Sequence, residues 1–144
     1  MKAIVDANVL INALITPTGK AADILLDPLE RVEKFSCYYL YVEVLKHKDK
    51  ILKASKLTEP EFLEVLYAFL KKIKFYNEIQ IPQEVWIEAE RLTADIDFKD
   101  IAYVALSLHL DGFIWTGDKP LIQGLQAKGF NKVVTTAELF DSLT

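Results

Sequence analysis

The 144 residues carry a formal net charge of −4, with 51% apolar and 26% charged residues, proportions of an ordinary globular protein. A chain of this length buries roughly 68–70% of its unfolded surface, enough for a single domain over residues 1–144 without covalent staples. The acidic balance argues against a passive nucleic-acid binder, which usually carries a strongly basic surface, but not against an enzyme whose bound metals offset an acidic site.

The lone cysteine, Cys37, excludes an internal disulfide and suits a reducing interior. Met1 to Ile15 has the lysine and apolar run of a signal peptide. However, Asp6, Asn8 and Asn12 interrupt it, and no small-residue cleavage site follows. No stretch reaches the roughly 18 uncharged apolar residues that span a bilayer. The expectation is a soluble, cytoplasmic protein with no membrane association.

Lys2 to Val5 is a short apolar run of the kind that forms a fully buried strand. Asn8 to Ile15 follows as a short helix, and Thr16-Pro17-Thr18-Gly19 breaks the chain before a second helix from Lys20 to Leu26. Phe35 to Tyr39 is rich in strand formers and predicts the second strand. Leu40 to Ala54 has helical spacing, and Thr58 with Glu61 forms a capping box opening a helix to about Lys71.

Ile73 to Ile79 predicts a third strand, and Pro82 stands in the first turn of a helix through Leu92. Another helix starts at Asp97 or Phe98 and reaches Leu110, with Ile101, Val104, Ala105 and Leu108 inward. Phe113 to Thr116 predicts a strand that ends at Gly117-Asp118. Pro120 to Ala127 is helical with Gly129 near its C-cap, Lys132 to Val134 is a last strand, and Thr135 with Glu138 caps a terminal helix. Strands alternating with helices give an α/β class with a mostly parallel sheet and crossover helices.

In open α/β sheets, ligands bind beyond the carboxyl ends of the strands. Asp6 follows the first strand and Asp118 the fourth, so both are expected at that edge. Glu43 lies early in the helix after the second strand, and Asp100 lies in the first turn of its own helix. All four are expected to converge. Two carboxylates about 4 Å apart repel by about 4 kcal/mol at an effective dielectric near 20. Hard cations such as Mg²⁺ or Mn²⁺ would relieve that repulsion and stabilise an in-line displacement at phosphorus.

Each acid also has a bland reading. Asp6 ends a strand, Asp118 suits a helix N-cap, and Glu43 suits a surface pair with Lys46 or His47. Asp97 is placed to cap the helix while Asp100 faces the site, with Asp97 adding at most a water-mediated metal contact. Asn8 and Thr116 are candidate supports for the carboxylates. His109 fits a structural role near a helix C-terminus, and His47 fits the surface. Trp86, Trp115 and the other aromatics fit core positions better than a base-stacking platform. Lys46, Lys50 and Lys53 follow Glu43 at helical steps, forming either a solvated face or a phosphate track for RNA.

Four segments together resemble the PIN-domain nuclease family. Ile4-Val5-Asp6-Ala7-Asn8-Val9-Leu10-Ile11 resembles its opening motif, and Val42-Glu43-Val44 its second acidic position. Asp97-Phe98-Lys99-Asp100 with Ala102-Tyr103-Val104-Ala105-Leu106 is similar to the third acidic block, and Trp115-Thr116-Gly117-Asp118-Lys119-Pro120-Leu121 to the fourth. The resemblance spans the chain in order and raises Glu43 above its surface reading. It implies a three-layer α/β/α sandwich around a mostly parallel, four- to five-stranded sheet. It also implies Mg²⁺ or Mn²⁺ at Asp6, Glu43, Asp100 and Asp118, single-stranded RNA as substrate, and a homodimer. Many small members of the family are toxins of toxin–antitoxin pairs, so a cognate antitoxin is a further expected partner.

The leading expectation is a metal-dependent endoribonuclease, with a catalytically silent RNA-binding or protein-interaction module as the alternative. A haloacid-dehalogenase-type phosphatase would need a second aspartate where Asn8 stands. A receiver domain would need one after the third strand, where the chain has Asn77 and Glu78.

Overall fold

A computed structural model describes residues 1–144. Five strands form one sheet: β1 (Lys2–Val5), β2 (Glu33–Cys37), β3 (Lys74–Tyr76), β4 (Phe113–Trp115) and β5 (Val133–Val134). Their order is β3-β2-β1-β4-β5 and every pairing is parallel. As the apolar run predicts, Ala3, Ile4 and Val5 of the central strand are fully buried.

Nine helices connect the strands: α1 (Ala7–Ile15), α2 (Lys20–Leu25), α3 (Tyr39–Lys46), α4 (Lys48–Ser55), α5 (Glu59–Leu70), α6 (Gln83–Thr93), α7 (Ile101–Leu110), α8 (Lys119–Ala127) and α9 (Thr136–Ser142). Helices α1 to α5 and α9 pack with one another, and α6 to α8 pack together. Right-handed crossovers require this division, because the chain moves one way along the sheet from β1 to β3 and the other way from β3 to β5. The result is the expected three-layer α/β/α sandwich. No helix is long and apolar enough to cross a membrane.

Three local expectations need correction, the first being that strand β3 is only Lys74–Tyr76, because Asn77 caps a 3₁₀ turn at Glu78–Gln80 where the strand was expected to continue. Strand β2 begins at Glu33 and ends at Cys37, two residues earlier than the apolar run suggests. Polar residues conceal its start. Lys34 is buried, and its ammonium donates to the carbonyl of Leu25 at 3.1 Å. The helix expected from Leu40 to Ala54 is two helices broken at His47. The ring Nδ1 of His47 sits 2.8 Å from the carbonyl of Glu43, while its backbone N–H turns to Val44 at 3.1 Å. The ring thus takes the acceptor that a continuous helix would use.

The break separates Lys46, the last residue of α3, from Lys50 and Lys53 on α4, so the three lysines do not share one continuous helical face. Helix α7 differs in another way. Ala102 to Ser107 are all buried, because the helix packs against β1, β2 and β4 on one side and α6 on the other. Anything at its start is therefore drawn toward the sheet.

The capping box at α5 forms in full: Thr58 Oγ1 accepts from Glu61 N at 3.3 Å, and Glu61 Oε1 accepts from Thr58 N at 2.9 Å. Thr58→Ala should cost about 1 kcal/mol in urea unfolding with an unchanged denaturant slope. A loss below about 0.3 kcal/mol would show that the cap does not hold this helix.

Candidate active site

The strand order reverses between β1 and β4, and the crevice beyond their carboxyl ends is where such sheets bind ligands. A cleft of about 440 Å³ lies there. Asp6, Glu43, Asp97, Asp100 and Asp118 all line it, together with Asn8, Asn12, His47, Lys50 and Lys99. Of the expected lysine track, only Lys50 reaches the cleft. No three metal-binding side chains close into a compact ligand cluster.

Thr116, fully buried just after β4, joins the two central strand ends. Its hydroxyl donates to Asp6 Oδ2 at 2.6 Å and accepts from Asn8 Nδ2 at 3.1 Å and from Asp118 N at 3.1 Å. Asn8 Nδ2 also donates to Asp6 Oδ2 at 3.0 Å, and its Oδ1 accepts from Gly117 N at 3.2 Å. Both expected supporting residues are therefore bonded to an acid or to the loop that carries one. Asp118 caps α8 by accepting from Leu121 N at 3.2 Å, so its bland role and its place in the cleft coexist.

Asp97 and Asp100 divide as their spacing suggests. Asp97 Oδ1 accepts from Lys99 N at 3.0 Å and caps the short 3₁₀ turn Phe98–Asp100, which delivers Asp100 into the cleft. Asp100 is 7% exposed, and its Oδ2 is buried without a hydrogen-bond partner. One support escaped the sequence reading. Tyr103, fully buried, donates its hydroxyl to Glu43 Oε1 at 2.9 Å and so fixes the acid of α3 from a different helix. The only signal was Tyr103 standing one helical turn after Asp100. His47 is half-exposed and lines the cleft, and His109 bonds the Tyr76 hydroxyl at 2.9 Å, a structural role as expected.

Burial is the largest influence on both central acids. It raises Asp6 to about 6, with Glu43 and Asp118 adding to the rise and the Thr116 hydroxyl opposing it. It raises Asp100 to about 8, with further contributions from the charges of Asp6, Asp118, Asp97 and Glu43. Asp100 thus feels every other acid of the cleft. Burial and the neighbouring Glu43 also raise the Tyr103 hydroxyl far above its ordinary value, which keeps it a donor.

The sequence model described as PIN domain matches residues 4–138. The chain belongs to the PIN-domain family. The PIN domains are a nuclease family, and the acids of this PIN domain occupy the switch-point cleft of its sheet. None of the curated proteins matches the chain. Among solved structures it is similar to a chain in the crystal structure of VapBC2 from Rickettsia felis bound to a DNA fragment from their promoter. The two share 11% identity over 94% of this chain and 97% of that one, with a TM-score of 0.66, a likeness of fold.

These shifts set a pH dependence for the PIN domain without metal. Both acids titrate higher in the folded state than the roughly 3.9 of an unfolded aspartate, so folding retains protons there. The resulting stabilisation is complete below about pH 4 and is lost as pH rises through about 6 for Asp6 and about 8 for Asp100. In chelator the melting temperature should fall between about pH 5 and about pH 8. Asp100→Asn should fall less and melt above the wild type at the upper end. Thermal unfolding of both proteins across that range checks this, and parallel curves would contradict it.

Proposed function

We propose that this PIN domain is a Mg²⁺- or Mn²⁺-dependent endoribonuclease that hydrolyses phosphodiester bonds of single-stranded RNA. The observation that carries the reading is the buried, unpartnered Oδ2 of Asp100, set among four other acids at the switch point of the sheet. An oxygen in that position gains its missing partner from a cation. The donor set is all carboxylate, which suits Mg²⁺ or Mn²⁺ over softer metals. An ion that keeps several waters and binds through a few carboxylates and substrate phosphates does not require a compact cluster of protein ligands.

Asp6, Glu43, Asp100 and Asp118 would hold the metal, with Asp97 acting through water. When bound, the ion supplies charge neutralisation and a more acidic water for attack at phosphorus. The protein contributes position. Thr116 and Asn8 fix Asp6, Tyr103 fixes Glu43, and the turn at Phe98–Asp100 fixes Asp100. Lys50 would meet an RNA phosphate at the rim. In the hydrolysis the water oxygen bonds to phosphorus, the ester oxygen leaves, and the water's proton ends on the leaving group. The same reading makes the protein a cytoplasmic homodimer; its restraint by an antitoxin accords with the fold it shares with a VapBC2 chain.

Asp6→Asn, Glu43→Gln, Asp100→Asn and Asp118→Asn should each remove most RNA cleavage in Mn²⁺ while leaving the protein folded. Asp97→Asn should cost less than Asp100→Asn. Thr116→Val, which keeps shape but loses the hydroxyl, should lower cleavage roughly 10- to 100-fold, as loss of an outer-shell partner does. The assay is cleavage of a labelled single-stranded RNA with metal and with chelator. Wild-type rates in all four acid variants would refute the proposal.

A further inference from the structure

Beside the acidic cleft lies a second, smaller cavity of about 240 Å³. Tyr39, Trp86, Phe98, Ile101 and Ala102 give it aromatic and apolar walls, and Glu78 closes one side. The carboxylate of Glu78 is held by the backbone N–H groups of Tyr38 at 3.1 Å and Tyr39 at 2.9 Å, which fixes that wall. Phe98 is 81% exposed and so is not the core residue that the sequence suggests, whereas Trp86 is half-buried, packed against the edge of the core with part of its ring open, in contrast to the fully buried Trp115.

Three features tie this slot to the cleft. Phe98 and Asp100 belong to the same 3₁₀ turn, so one short segment carries an open aromatic ring into the slot and a buried carboxylate into the cleft. Tyr39 packs its ring 6.5 Å from that of Tyr103, the residue that holds Glu43. Lys99 lines both cavities and takes part in none of the seven side-chain ion pairs of the protein, despite acids on either side.

We infer that this slot is a nucleobase subsite of the RNA-cleaving site, in which Phe98 and Trp86 stack a base and Lys99 receives the phosphate between slot and cleft. The inference rests on the ribonuclease reading above. A cavity below the roughly 300–1,000 Å³ of drug-sized pockets, with flat aromatic walls, fits one planar ring system. Base–aromatic stacking tolerates any base, because every base has a π-face. The free cation at the junction selects for an occupant that alternates flat apolar rings with anions. That is the pattern of a single-stranded nucleic acid and not of an apolar peptide.

The test uses oligoadenylate and an abasic oligomer of equal length and charge, with the whole protein in Ca²⁺ to hold the RNA uncut. Binding is followed by fluorescence of Trp86, whose contribution is isolated by comparison with Trp86→Leu. Oligoadenylate should quench Trp86 and the abasic oligomer should not. Phe98→Ala, at an exposed position, should weaken oligoadenylate binding roughly five- to 150-fold and leave abasic binding unchanged. Lys99→Gln should weaken both and flatten the log–log salt dependence by about 0.7. In Mn²⁺, Phe98→Ala should raise KM for cleavage of oligoadenylate.

Equal binding of oligoadenylate by Phe98→Ala and wild type would overturn the inference, as would an equal loss for the abasic oligomer. So would conversion of a wild-type dimer to monomer by Phe98→Ala without any change in RNA binding, which would make the slot a protein contact. Base-dependent quenching by a protein that cleaves nothing would support the slot while refuting the ribonuclease reading.

Discussion

Carboxylates crowded into one crevice repel, and much of this molecule is arranged around keeping them there. Asp100 is at the centre of that load. It is buried, one of its oxygens has no partner, and four other acids push on it. An isolated buried carboxylate responds by keeping its proton, which is the direction both Asp6 and Asp100 take. A divalent cation offers a second response, in which the charges are retained and shared. The fold does not remove the conflict; it holds the groups in place until a cation or a proton settles it.

Rigid support is what makes that possible. Asp6, Glu43, Asp97 and Asp118 are each fixed by a residue from another part of the chain or by their own helix end, while Asp100 is placed only by the backbone turn that carries it. Thr116 ties Asp6 to the Asp118 loop across the ends of β1 and β4, and Tyr103 reaches from α7 to Glu43 on α3. The neighbouring strands β1 and β4 are where the strand order reverses, so the crevice exists before any side chain is placed. Strain concentrated at such a site and offset by a well-packed core is a common division between function and stability. Here the core provides it through the fully buried β1 and a helix α7 that is buried nearly all round.

The sequence revealed what depends on local pattern. The apolar run before Asp6, the capping boxes at Thr58 and Thr135, and the alternation of strands with helices led directly to the sandwich. The spacing of Asp97 and Asp100 distinguished a cap from a buried acid, because three residues are one turn. What it concealed depends on tertiary contact. A buried lysine in β2 reads as surface until the carbonyl of Leu25 is seen beside it. A ring at His47 that takes a backbone carbonyl breaks a helix whose periodicity continues unbroken, and with it the shared face of Lys46, Lys50 and Lys53. Tyr103 and the aromatic slot were hidden for the same reason, since a half-exposed aromatic and a core aromatic have the same sequence.

The account is tested most directly by proton release on metal binding. If Asp100 is held protonated at about 8 by burial and by its acidic neighbours, a cation that takes its carboxylate must displace that proton. Titration of Mn²⁺ into the protein near pH 7, in buffers of differing ionisation enthalpy, should release about one proton per binding event in the wild type and markedly less in Asp100→Asn. Equal proton release by the two proteins, or Mn²⁺ binding with none, would show that Asp100 does not carry the charge on which this reading of the cleft depends.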